Sequence, residues 1–318
     1  MPKTSCPLCR CSSVIANQVD QYKYYRCVPC NLLFLYPQPS KTQIDKYYKS
    51  SFDYFAGKTN ETPIRARAKK ILLNLKSINP SGTSLLDVGS GYGYFANEAL
   101  DIGLNVSAVE PSGSFYNVPI YKSIKKLYKT SFEIYAKSHQ NIKYDFITFI
   151  HVIEHVSNPK KLMKDACKLL SPDGILYIET PNLDSHLYKA EQNNYTFLTP
   201  PDHLWIFSKK TIKTITPPRC QIDKVSTYSY PEHLMGIIKA IFKSGNSHAY
   251  RTVVPVQFQP TRLELGHSGR PDEAKKVSYS SLRLIKYLLF DRCIAPLFYR
   301  LLNLHYHGSI LELYIKKK

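Results

Sequence analysis

Apolar and polar positions along this 318-residue chain follow two different periods. Short apolar runs at Ser84–Val88, Asn105–Val109, Tyr144–Ile150 and Gly174–Thr180 read as strands, the inner ones buried on both faces. Between them, Ile64–Ile78, Tyr94–Leu100 and Pro159–Leu170 space their apolar residues three and four apart, as amphipathic helices do. Val118–Tyr121 reads as a weak third strand, Pro111-Ser112-Gly113 as the start of a short helix, and Ser171-Pro172-Asp173-Gly174 as a turn. Upstream, Tyr36-Pro37-Gln38-Pro39 is a stiff connector, and Ser40 caps a short helix containing Tyr47 and Tyr48. Downstream, Ser208 caps a helix ending at Thr216, Ile222–Tyr230 is strand-like, and Ser309–Ile315 is a closing strand. Strands alternating with helices predict an α/β fold around a doubly wound, mostly parallel sheet. Residues 231–307 are too many for a loop and are expected to form a helical insertion, or lid, before the last strand.

The turn after the first of these strands carries chemistry. Gly89-Ser90-Gly91-Tyr92-Gly93 lets the backbone turn sharply and approach a ligand with no Cβ in the way. The following helix presents its N-terminus to the same place. The second strand ends in Glu110, 21 residues after Gly89, where a βαβ unit offers a carboxylate to ribose hydroxyls. Position 94 is Tyr, so the spacing is G-x-G-x-G rather than the dinucleotide pattern G-x-G-x-x-G. Asp87, just before the first glycine, is placed to hold a nucleotide amine or an ordered water.

The run D-V-G-S-G-x-G resembles motif I of class I S-adenosylmethionine (SAM) methyltransferases. The likeness extends to HVIEHVSNPKKLMKDACKLLSPDGILYIETPN (151–182) and to PPDHLWIFSKKTI, which resemble the ubiquinone-type O-methyltransferases and their relatives on sugars, glycans and lipid intermediates. Several relatives, sugar C-methyltransferases among them, carry an amino-terminal zinc-binding domain. The resemblance covers roughly residues 5–230 and the last strand, and fades across 231–307. It implies a Rossmann-like fold, SAM as cofactor, and a SAM site of Asp87, Gly89, Ser90, Gly91, Gly93, Glu110, Pro111 and His151, with Tyr47, Tyr48, Tyr92 and Tyr94 nearby. The segment Lys122-Ser123-Ile124-Lys125 lacks the acid or amide that often binds the adenine amine.

Two C-x2-C pairs, Cys6/Cys9 and Cys27/Cys30, stand 17 residues apart, the spacing of a zinc ribbon. Four thiolates close a tetrahedron with no open position, and the metal supplies folding energy that some 30 residues lack by themselves. The expected organisation is a zinc ribbon over 1–38 and a methyltransferase domain over 39–318.

His151-Val152-Ile153-Glu154-His155 follows directly on the strand Tyr144–Ile150. As H-x-x-E-H it matches a metalloprotease signature, but a strand precedes it and Pro159 closes it, leaving no metal-binding helix. At the carboxyl end of a central strand these residues face the ligand crevice. Methyl transfer from a sulfonium has an excellent leaving group, so positioning does most of the work. Removing the acceptor's proton suits a histidine, which titrates near neutrality. His151, His155 and His203 are the candidates. The resemblance further implies that residues matching Glu154 and His155 can bind a divalent ion, which makes Mg2+ a secondary expectation.

Lys plus Arg outnumber Asp plus Glu by 43 to 24, a net charge of +19. The lysines are spread along the chain, with no arginine-rich block, so a lysine-rich surface accounts for the charge better than nucleic-acid binding does. The opening MPKTSCPLCRC has no apolar segment, and a cytoplasmic protein is expected. Ser281–Leu304 mixes apolar residues with Arg283, Lys286, Arg292 and Arg300. It reads either as a lid on the acceptor site or as a helical pair lying on an anionic membrane. The expected activity is O-methylation of a sugar, glycan or lipid-linked glycan. An RNA or DNA methyltransferase and a non-enzymatic SAM-binding scaffold are the alternatives.

Overall fold

A computed structural model describes residues 3–40, 42–44, 46–47, 61–115, 119–242 and 302–318. The chain opens with β1 (Lys3–Ser5), β2 (Ser12–Val19), β3 (Tyr22–Cys27) and β4 (Leu32–Leu35), each antiparallel to the next. Helix α1 (Glu61–Ile78) follows, its buried face formed by Ala68, Ile71, Leu72 and Leu75 at helical spacing. Then come β5 (Ser84–Val88), α2 (Tyr94–Asp101), β6 (Asn105–Val109), β7 (Lys126–Tyr128), α3 (Phe132–Ser138) and β8 (Tyr144–Ile150). They are followed by α4 (Pro159–Leu169), β9 (Leu170–Pro181), α5 (His186–Glu191), β10 (Trp205–Ile206), α6 (Lys209–Ile215), β11 (Cys220–Tyr228), α7 (Pro231–Phe242) and β12 (Ile310–Lys317).

Seven strands form the main sheet in the order β11-β12-β9-β8-β5-β6-β7. The five from β9 to β7 run parallel, and β12 enters antiparallel between β9 and β11. This is the doubly wound, mostly parallel sheet that the alternation predicts. Alternate residues of each strand serve opposite faces. Leu85, Val106, Phe146 and Ile175 pack with α1 and α2, whereas Leu86, Ile147, Leu176 and Leu313 pack with α4 and α6. The second of these cores also takes in Cys6, Leu8, Cys27 and Leu32–Leu35, so the amino-terminal strands share apolar packing with the main sheet. They share a ladder as well: β10 adds to β4 as the fifth strand of their sheet, pairing Trp205 with Phe34 and Ile206 with Leu33.

Local capping fixes the helix starts. Asn158 and Ser208 accept from the amides of Lys161 and Thr211, and Pro159 opens α4 where no amide donor is needed. Two readings need correction. The strand expected over 118–121 is not formed by its described residues: Pro119–Ser123 is a 3-10 turn, and the third parallel strand is Lys126–Tyr128. The residues after that strand are therefore Lys129-Thr130-Ser131, which also lack an acid or amide. Ser171–Gly174 lies within β9 as a bulge, since Tyr144 pairs with Leu170 and Phe146 with Ile175. Helix α7 begins the insertion at Pro231. Tyr48, Cys293 and 281–301 of the basic apolar segment lie outside the described residues. Among the described residues no helix is long and apolar enough to cross a membrane.

Candidate active site

Gly89, Gly91 and Gly93 all adopt positive φ, at 67°, 52° and 77°. Gly93 is the N-cap of α2, and a Cβ on Gly89 would lie 2.6 Å from Val152. The loop therefore requires glycine at these turns. Glu110 braces it from β6: Oε2 accepts from the Gly91 amide and Oε1 from the Ser112 amide, both at 2.8 Å. Tyr121, on the 3-10 turn, donates to the Gly91 carbonyl and lies 3.0 Å from Ser90 Oγ. That contact explains why the segment turns rather than continuing as a strand.

Asp87 Oδ1 accepts from Thr148 Oγ1 at 2.8 Å, while its buried Oδ2 has no hydrogen-bond partner. Burial, to which the Glu110 charge adds, pushes the Asp87 carboxyl up to about 7 against the Thr148 bond. Burial also lifts Glu110 to about 7, against its two amide donors. Two desolvated acids thus stand beside a loop of left-handed glycines. Asp87, Gly89, Ser90, Tyr92 and Tyr94 line a cleft of about 540 Å³, counting its open mouth, together with Arg67 and Glu179. Gly91, Gly93, Glu110, Pro111 and His151 do not line it; Glu110 lies behind the glycine loop and accepts from the Gly91 amide.

At the ends of β8 and β9 the charges are paired. His151, at φ 53°, places Nδ1 3.0 Å from Glu154 Oε1 and Nε2 3.5 Å from Glu179 Oε1. The second distance is too long for a good hydrogen bond, so Nε2 is electrostatically paired and geometrically unsatisfied. Burial would lower this imidazole, but Glu154 and Glu179 outweigh it and hold it up at about 10. His155 is lifted to about 9 in the same way, with Asp202 Oδ1 2.8 Å from its Nδ1. His203 differs. Its Nδ1 donates to the Phe197 carbonyl at 2.8 Å, which leaves the lone pair on Nε2. Burial and then the neighbouring His155 charge press it down to about 4, so it is neutral. The rings of His155 and His203 meet edge to face with centroids 4.7 Å apart.

Comparison with known proteins matches residues 60–216 to a methyltransferase domain family. A ubiquinone biosynthesis O-methyltransferase of Coxiella burnetii is 28% identical over 177 residues, covering 50% of this chain and 73% of that protein. The same-named enzyme of Rickettsia bellii is 29% identical over 161 residues, covering 47% and 65%. The chain carries a class I SAM-dependent methyltransferase domain. A SAM-dependent methyltransferase structure from Archaeoglobus fulgidus is 18% identical, with a TM-score of 0.49 over 86% of this chain and 100% of that one.

Around the methyltransferase cleft, several residues escaped the sequence reading. Arg67 of α1 donates to Glu179 at 2.9 Å and to Glu312 of β12. Tyr177 donates to both acids, at 2.8 and 2.9 Å, and Tyr228 donates to Glu179 at 2.7 Å. Arg67 also stacks 3.8 Å from the Tyr228 ring centroid. Despite burial, Arg67 and His151 keep the Glu179 carboxyl well below the usual range. The signal for these was an acid within an apolar strand, Glu179 in ILYIET and Glu312 in ILELYI. His233 on α7 was also missed. Its Nδ1 accepts from the Tyr230 amide at 3.3 Å, and its buried Nε2 has no partner. Burial and then the His151 charge lower it to about 3, so Nε2 carries the proton.

Two further groups bear on metals. The thiols of Cys6, Cys9, Cys27 and Cys30 come together, with sulfur–sulfur distances of 3.6, 3.3, 3.6 and 3.2 Å for the pairs 6–30, 9–27, 9–30 and 27–30. Tetrahedral zinc with Zn–S near 2.3 Å sets thiolates about 3.8 Å apart, so the cluster fits that ion after a small expansion. Glu154, His155 and His203 also bring one donor each within 4.8 Å of one another. Two imidazoles, with a carboxylate already bonded to His151 and Thr180, do not suit magnesium, which takes oxygen ligands.

Proposed function

We propose that this methyltransferase transfers a methyl group to a hydroxyl oxygen of a sugar- or glycan-type acceptor, with His203 as general base. The observation that carries the reading is a buried, neutral histidine, His203, whose Nε2 keeps its lone pair, in a fold that also carries a cleft at the glycine loop. The residues fit SAM: Asp87 Oδ2 lacks a partner, and the glycines leave room for close approach. When bound, SAM supplies a methyl group on a sulfonium. Asp87, with an open Oδ2, and Glu110, which braces the glycine loop, would be the residues that hold and orient it. His203 Nε2 takes the acceptor's proton as the oxygen attacks, and the Phe197 carbonyl steadies the imidazolium that forms. His151 and His155, already protonated, serve as fixed positive charges rather than bases. The oxygen acceptor accords with the name of the ubiquinone enzymes, and the carbohydrate class with the sequence resemblance.

Cys6, Cys9, Cys27 and Cys30 hold one structural zinc ion in this reading, and 1–38 is its ribbon. The acceptor meets the domain near α7 and the insertion, and contact with an anionic membrane remains a role for that insertion. The test is incubation with methyl-labelled SAM and fractionated cell extract. Label should enter the carbohydrate fraction and require His203. Label in RNA or DNA, or in no fraction at all, overturns the acceptor.

A further inference from the structure

The amino-terminal sheet reaches the histidine cluster directly. Tyr24, fully buried on β3, donates its hydroxyl to the main-chain carbonyl of His203 at 2.8 Å. The next residue along, Leu204, accepts from the Leu35 amide of β4 at 2.9 Å, and β10 continues that pairing. From the other side, the Leu204 amide donates to the Glu154 carbonyl at 2.9 Å, and Trp205 Nε1 donates to the Val156 carbonyl at 2.7 Å. The segment 203–206 is thus held between the cysteine-bearing sheet and the end of β8. The ring of His203 is fixed by Phe197, but its backbone is fixed by Tyr24 and β4.

We propose that the cysteine-anchored sheet is a working part of the active site, with Tyr24 as the positioning residue for His203. The inference rests on the reading of His203 as the base. A sheet that served only as an appended module would need no buried hydroxyl aimed at that carbonyl. Tyr24 is a better choice than a surface residue for this task because its ring is locked by packing, so its hydroxyl stays where the carbonyl lies. A displacement of about 1 Å at a reacting group costs up to a hundredfold in rate.

The experiment uses the full chain with 15N-labelled histidine, and His203→Ala assigns the ring signals. Tyr24→Phe keeps the ring and removes only the hydroxyl. It should shift the His203 ring resonances and lower labelled methyl uptake by the acceptor fraction about tenfold or more. Affinity for SAM and metal content should stay at wild-type levels, which also shows that the variant is folded. Thr211→Val is the control. It removes bonds from Thr211 Oγ1 to the carbonyls of Cys30, buried, and Asn31, part-buried, at 2.8 and 2.7 Å. It should leave the His203 signals in place. Unmoved His203 signals in Tyr24→Phe, or an equal shift in Thr211→Val, overturn the proposal. Moved signals with unchanged methyl uptake uphold the positioning and remove His203 as the base.

Discussion

The cofactor cleft and the histidine cluster stand at the ends of neighbouring strands, yet they handle charge in opposite ways. At the glycine loop, Asp87 and Glu110 are buried against a hydroxyl and two backbone amides, and both are pushed up to about 7. In the cluster, His151 meets Glu154 and Glu179, Glu179 meets Arg67, and His155 meets Asp202. The first region holds desolvated acids and gains from a ligand that brings donors and positive charge. The second matches its charges internally and gains rigidity. One has an acceptor left open, the other holds its own residues still, and His203 is the neutral group beside His155 in the second.

The largest effect should come from the cysteine sheet, because it braces the cluster and not the cleft. Cys27→Ser should lose the metal and cost several kcal/mol, since metal binding contributes folding energy. That corresponds to a drop of about 10 °C or more in the unfolding midpoint for a chain of this size. SAM affinity should hold, because Glu110 braces the glycine loop from within the main sheet, through the Gly91 and Ser112 amides. Metal analysis with thermal unfolding checks it, and an unchanged midpoint after metal loss would separate the two sheets.

His151→Ala should be next. Removing one partner of a buried ion pair leaves Glu154 and Glu179 facing each other, at about 3–5 kcal/mol. The pH dependence has a definite sign. The folded value of about 10 lies above the ordinary 6.5, so the contribution is full below 6.5 and is lost as pH rises through about 10. Denaturant unfolding at several pH values should show the gap between wild type and variant narrowing from pH 7 towards 10. A constant gap would mean that His151 is not charged.

His203→Ala should lower turnover at least about a hundredfold, as loss of a general base does, with SAM affinity nearly unchanged. Gly91→Val should do the reverse, because a β-branched residue at φ 52° is strained and intrudes on the loop. Steady-state rates with calorimetry separate the two. Lost SAM affinity in His203→Ala would show that the cluster acts on the cleft as well, through the Glu179 that both share.

The cleft was legible in the sequence and the cluster largely was not, for one physical reason. Gly89 to Gly93, β5, α2 and Glu110 form a local unit whose backbone needs are written in adjacent residues. Arg67 and Glu312 meet across 245 positions, and Tyr24 and His203 across 179, with no local pattern to announce either. His151, His155 and His203 were singled out by their place after strands, but their protonation was not legible, because it depends on Glu154, Glu179 and Asp202 for the first two and on burial beside His155 for the third. The misread strand at Val118–Tyr121 has the same origin: Tyr121 answers to Gly91, thirty residues away.

The smallest effect sharpens the comparison most. On the proposed reading SAM favours the ionised forms of Asp87 and Glu110, since a carboxylate offers more acceptor sites than a carboxyl and attracts its positive charge. Without ligand both sit near 7, above their ordinary 3.8 and 4.5. Their protonated forms therefore add to stability below about pH 4, and that contribution is lost as pH rises through about 7. Binding runs against this preference at low pH and with it above 7. SAM affinity should thus rise about a hundredfold between pH 6 and 8, about tenfold for each acid, and then level off, a gain of about 2.7 kcal/mol. Protons should be released on binding near pH 7, seen as a binding heat that varies with the buffer's ionisation enthalpy. Glu110→Gln should flatten part of that slope while weakening affinity, because one acceptor to the loop or the ribose is lost. A flat profile from pH 6 to 8 with no proton release would show that the cleft's acids are already ionised, and the contrast with the histidine cluster would disappear.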